Sequence, residues 1–213
     1  MANPAPSPPP SVEPSTGEPA DAICAAYATV GPWPARLNPE TADAYFARLI
    51  DERRLEAAVR FAAVWMGPRR AVWWGALCVW NKLRDRAAEA GPDLECPETI
   101  AVDAAVKWVL QHDEPTRRGA QQAADAAGYT KPAGALAGAA FWSGGSVSLP
   151  DCPEVPPPAG VWAKLVANCV QMVAAAPAAA KREQSLYQSL RMAAETLTNP
   201  SPWTHAPPRD PQA

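Results

Sequence analysis

Two adjacent arginines, Arg69 and Arg70, stand where a chain has least structural use for cations. They follow Gly67 and Pro68, a pair that ends one helix and begins another, so both fall in a first helical turn. Cations there oppose the helix macrodipole by about 0.3–1 kcal/mol each when exposed. The commoner outcome is a solvated pair or an internal salt bridge, with Glu52, Glu56 and Asp103 as the candidate partners; an anion or acidic-partner site is the rarer one. Arg117 and Arg118 raise the same question in another first turn. One turn beyond the first pair comes Trp74, whose ring would form a platform for a ligand or partner if half exposed. A second segment, Ala-Ala-Phe-Trp-Ser-Gly-Gly-Ser at 139–146, places Trp142, Ser143, Gly144 and Gly145 together. Free N–H groups around the glycines could form an anion nest. No lysine or threonine follows, as a phosphate loop would require, so a helix stop and rigid spacer is the plainer reading.

Catalytic sets are otherwise missing from the sequence. Of the two histidines, His205 lies in a Pro-rich tail, and His112 reads as a helix-terminal residue favoured at the negative pole. No H-E-x-x-H, E-x-x-H pair, G-x-G-x-x-G or Walker loop occurs. The five cysteines, Cys24, Cys78, Cys96, Cys152 and Cys169, are odd in number and widely spaced, with no C-x-x-C. They read as reduced thiols rather than a disulfide framework or zinc site. The expectation is a chain with no catalytic residue, no metal and no cofactor.

Proline shows which elements must position these residues. Of 26 prolines, twenty fall in three clusters: 4–39, 150–158 and 200–211. The remaining six stand where an apolar periodic segment starts or has just stopped, as expected of helices punctuated by proline. Residues 1–20 form a Pro/Ser/Glu tract too poor in apolar surface to fold, and 199–213 reads likewise, with Trp203 able to tack it to the body. Residues 21–198 then form one helical domain with the Pro-rich loop 144–158 inside it. Within it, Asn38 can cap a helix whose first residue is Pro39, a helix over 53–66 closes at Gly67, and a long one spans 69–90. Apolar positions recur at helical spacing: Ile100, Ala104 and Trp108; Trp162, Leu165, Cys169 and Val173; Leu186, Leu190, Ala193 and Leu197. Strand signals are confined to 144–149. The fold class is all-α: an irregular or orthogonal bundle of seven to eight helices, with HEAT-like stacked pairs as the variant form.

Nine tryptophans are several times ordinary usage, and four of them (Trp65, Trp73, Trp74, Trp80) fall within sixteen positions. Trp73, Leu77 and Trp80 share a helical face and read as core, which leaves Trp74 as the ring to suspect. A net charge of −3 and a pI near 5.5 provide no basic footprint for nucleic acid. Residues 1–20 have neither the basic nor the apolar region of a secretory signal. The longest apolar run, about ten residues, is half a membrane span. These features favour a cytoplasmic chain with no membrane span.

The motifs R-R-A-V-W-W at 69–74 and A-A-F-W-S-G-G-S…V-P-P-P at 139–158 resemble an uncharacterised family of bacterial helical proteins of about this length. The resemblance spans roughly 36–197 and implies no activity or catalytic residues. It does imply an accessory or adaptor role beside secretion or signalling assemblies. The leading expectation is thus a non-enzymatic interaction protein whose partner is another protein. Its rival is a ligand-binding or enzymatic domain with an anion site between Arg69/Arg70 and the 142–146 loop.

Overall fold

Proline, glycine and short polar side chains set the helix ends. In the computed structural model, which describes residues 17–90, 96–149, 151–175 and 179–205, eight α-helices follow one another. They are α1 (Ala20–Ala26), α2 (Ala42–Asp51), α3 (Leu55–Ala90), α4 (Pro97–Gln111), α5 (Glu114–Ala127), α6 (Pro132–Phe141), α7 (Val161–Ala175) and α8 (Ala179–Thr198). Short 3-10 turns lie at Ala28–Val30 and Pro202–His205. Gly67, at φ 70° and ψ 167°, breaks α3 into 55–66 and 68–90, and Pro68 opens the second half. Pro97 and Pro132 open α4 and α6. Asp113 caps α5 by accepting the Thr116 N–H at 2.9 Å, and Gly128, at φ 84°, ends it. The all-α class expected from the sequence is the observed one.

The most completely enclosed helix is not the Trp-rich one, although Trp73 and Trp74 on it are fully buried. It is α6, whose residues Ala133 to Phe141 are all buried and which packs against α3, α4, α5 and α7. Its small side chains make that enclosure possible. A Cβ on Gly134 would stand 2.1 Å from the Gly128 carbonyl oxygen, and one on Gly138 would stand 2.3 Å from the Tyr129 ring. On the facing surface of α3, a Cβ on Gly75 would meet Leu136 at 2.6 Å. A helix enclosed on all sides makes this a bundle about a central rod rather than a two-layer stack of helix pairs. Around it α3 forms the long strut, packing against α2, α4, α7 and α8.

Several local expectations are corrected. The α2 cap is Thr41, whose Oγ1 accepts the Ala44 N–H at 3.4 Å, and Asn38 lies outside the helix in a cis peptide with Pro39. Segment 144–149 forms no strand. Ile100 is 50% exposed, because the buried face of α4 is rotated onto Ala101, Val102, Ala105, Val106, Trp108 and Val109. Folded structure also reaches further than expected. Ala20 is buried in α1 and Pro19 bridges Thr41, while Trp203 packs against the core from the last 3-10 turn. The remainder of the two expected tails, 1–16 and 206–213, lies outside the described residues. Among the described residues no helix is long and apolar enough to cross a membrane.

Candidate functional site

Arg69 and Arg70 start the 68–90 half of α3, and their guanidinium groups reach the C-terminal ends of two other helices. Arg69 Nε donates to Val109 O at 2.7 Å, and Nη2 to Leu110 O at 3.4 Å, in the last turn of α4. Arg70 is buried; Nη1 donates to Thr196 O at 3.1 Å and to Asn199 O, and Nη2 donates to Pro200 O at 2.8 Å, around the end of α8. Carbonyls at a helix C-terminus lack intrahelical donors and form the negative pole. Each cation, unfavourable in its own first turn, therefore serves the opposite pole of a neighbour. Trp203 covers the pair, with its ring centroid 4.2 Å from Arg69 Cζ and 5.9 Å from Arg70 Cζ. The carboxylates expected as partners are engaged elsewhere: Glu52 with Arg48 and Arg54, and Glu56 with Arg182. Asp103 is exposed.

His112 ends α4 in the left-handed region, at φ 53° and ψ 43°, with its ring against Trp108. Burial, and then the nearby Arg69 charge, push its pKa down. The residue is thus a neutral cap, and Arg69 takes the cationic role at that helix end. Trp74, the expected half-exposed platform, is fully buried instead. Its Nε1 donates to Ser189 O on α8 at 2.8 Å. The ring lies against α8 there and keeps no exposed surface.

The second arginine pair organises the second segment. Arg117 is 4% exposed. It donates to Phe141 O, the end of α6, and from Nη2 to Ser146 O at 2.7 Å, while Glu114 takes its remaining edge at 2.6 and 2.7 Å. Hydrogen bonds from Arg117 and Arg118 hold the Glu114 carboxyl below its usual pKa. Gly145, at φ 64°, lies directly on this guanidinium, and a Cβ there would stand 2.9 Å from Arg117 Nε. Trp142 packs edge-on against Phe141 and is half-buried, while Ser143 Oγ donates back to Ala140 O at 2.7 Å. Thus Trp142, Ser143, Gly144 and Gly145 do share one place, and its organiser is Arg117.

Beyond Gly145 the chain closes on itself. Ser146 Oγ accepts the N–H groups of Ser148 at 3.2 Å and Val155 at 3.0 Å, and Val147 N–H donates to Val155 O at 2.8 Å. Ser148 Oγ donates to Pro153 O at 2.7 Å. The result is a loop whose start is pinned by Arg117 to the α5–α6 corner and whose other end meets Thr29, which donates to Ala159 O at 3.3 Å. Leu149 is 73% exposed on it and Val155 49%. Sequence reading missed these two residues. Their only signal is that they are apolar without a helical partner, inside a Pro/Ser-rich stretch.

A family model, described as a family of unknown function (DUF6931), matches residues 45–197. The chain belongs to that family. The match contains both arginine pairs and the whole loop, and it leaves out Trp203. No curated protein and no solved structure matches the chain. The resemblance to an uncharacterised helical family is thus met by DUF6931, over a span slightly shorter than 36–197.

All five cysteines of this family member are free. Burial raises the Cys24 thiol to about 11 and the Cys78 thiol to about 12, and it raises Cys169 as well, so these three act as apolar packing groups. Among the described residues no three His, Cys, Asp or Glu side chains come together as metal ligands.

Proposed function

We propose that this protein is a non-enzymatic adaptor or accessory subunit that presents the 146–158 loop to a protein partner. The observation that carries this reading is the loop itself: Leu149 and Val155 exposed on a segment already fixed by Ser146, Ser148 and buried Arg117. Apolar side chains on a pre-ordered loop bind with little further loss of conformational entropy. The run of prolines at 156–158 adds a short proline-rich stretch, the composition that aromatic grooves accept. Arg69 and Arg70 hold helix ends together, and this disfavours the rival anion site between them and the 142–146 loop. Five free thiols support a reducing, cytoplasmic setting. The family resemblance supports a bacterial secretion or signalling assembly as that setting.

The test is affinity capture from the native host with the wild-type chain and with Leu149→Asp/Val155→Asp as parallel baits. The expected result is a stoichiometric partner recovered with the wild type and lost with the double variant at unchanged thermal stability. Recovery of the wild-type bait alone, or of the same partner with both baits, refutes the reading.

A further inference from the structure

The 146–158 loop carries charge as well as apolar surface. Between Lys131 and Lys164 the only charged residues are Asp151 and Glu154, both on this loop. Leu149 O accepts the Cys152 N–H at 3.0 Å, which closes a four-residue turn with Asp151 at its third position. Below that turn, the Val147 N–H on Val155 O and the hydroxyls of Ser146 and Ser148 close the neck. Every residue from 151 to 156 is exposed, so the loop stands out from the body as a knob. The Asp151 and Glu154 carboxylates make no ion pair or hydrogen bond among the described residues. Glu52, Glu56, Glu114 and Glu183, by contrast, each hold an arginine.

We infer that the partner protein receives this loop in an apolar pocket rimmed by lysine or arginine side chains. The inference rests on the reading of the loop as the presented surface and adds the chemistry of what faces it. Leu149 and Val155 are the side chains whose burial drives docking, and each stands within two residues of a carboxylate. Burying them draws both carboxylates to the edge of the contact, where an anion left without a donor loses hydration and gains nothing. A cationic rim supplies that donor, and it steers the approach of a loop that has no cation of its own. A projecting knob also requires a concave receiver, with the apolar contact at its centre and the charges around it. Nucleic acid and an anionic bilayer carry the wrong sign. A second copy of this chain, at a net charge of −3, is not the complement either.

The probe is the protein that the wild-type chain recovers in affinity capture, purified and immobilised, with the full-length chain as analyte in surface-binding kinetics. Asp151→Asn/Glu154→Gln keeps the shape of the loop and removes its charge. Its association rate should be about two- to thirtyfold slower than wild type at low ionic strength, the effect of losing two exposed ion pairs. The two chains should converge at about 1 M salt, where the Debye length is about 3 Å. Asp151→Lys/Glu154→Lys should bind more weakly still. Leu149→Ala/Val155→Ala, which leaves the charge alone, should mainly speed dissociation. Thermal melting checks the fold of every variant, and the Asn/Gln pair carries the test by itself if the lysine pair melts early. Equal association rates for wild type and the Asn/Gln variant at low ionic strength, or tighter binding by the lysine pair, overturn the proposal. If the alanine variant still loses the probe in that case, only the cationic rim falls. A probe indifferent to the alanine variant, or recovery of nothing but a second copy of this chain, removes the reading of the loop and the rim together.

Discussion

Replacing Arg70 by methionine isolates what the guanidinium does, because methionine keeps most of the aliphatic stem and removes every donor. The Thr196 carbonyl is buried, and leaving it without its donor costs about 1–3 kcal/mol. The Asn199 and Pro200 carbonyls are partly buried and recover some hydration, so each of those bonds contributes about 0.5–1.5 kcal/mol. The loss is therefore about 4 kcal/mol, a large share of the ~5–15 kcal/mol typical of a folded domain. At about 2–4 °C per kcal/mol for a chain of this size, the melting temperature should fall by about 8–16 °C. Lysine offers a single ammonium where the site uses a planar fork spread over three carbonyls, so Arg70→Lys should lie between methionine and wild type. Urea unfolding followed by far-UV circular dichroism measures both. A loss below about 1 kcal/mol for the methionine variant, or a lysine variant as stable as wild type, would refute the reading of Arg70 as the clamp on α8.

Three further perturbations follow from the same structure. Gly134→Ala should destabilise by about 1–3 kcal/mol or more, since its Cβ meets the Gly128 backbone oxygen at 2.1 Å; Gly119→Ala, mid-helix with open space around it, should stabilise by up to about 1 kcal/mol. Paired chemical denaturation curves would show opposite signs, and equal effects would contradict the close α5–α6 approach. Trp74→Phe, which removes the Ser189 hydrogen bond and leaves a void, should cost about 1–3 kcal/mol, against a value near zero for an exposed platform. The folded-state pKa of His112 is depressed below 6.5, so the unfolded chain binds the proton more tightly. Its contribution to stability is fully present above pH 6.5 and is lost as the pH falls toward the folded-state value. His112→Asn, which tolerates the left-handed cap, should flatten that part of the stability–pH curve; an unchanged slope would assign it to another group.

The helices were legible because their punctuation is local. Gly67-Pro68, Pro97, Pro132 and Gly128 act through their own φ angles and missing N–H groups, so each boundary could be read from its immediate neighbours. Even there a local rule misled where two signals competed: Asn38-Pro39 has the residues of a helix start, but Thr41 is the cap in use. Facing directions were less legible. The Ile100 stripe satisfied the helical period, yet α4 turns its Ala101–Val102–Ala105 surface inward, since Ile100 and Ala101 lie only one step of rotation apart.

The sequence determined that the chain is all-helical, where most helices begin and end, that Trp73 is core, and that Arg69, Arg70 and Arg117 stand in first helical turns where a cation gains from an acceptor elsewhere. It did not determine which acceptors. They lie 24 to 130 positions away, as the carbonyls of Phe141, Val109, Thr196 and Pro200, and backbone oxygens leave no mark in the residue types. The tertiary structure alone decided that these cations fasten helix ends and that Trp74 has no open face. Helix propensity is a property of neighbouring residues, whereas the partner of a long side chain is set by how whole helices pack.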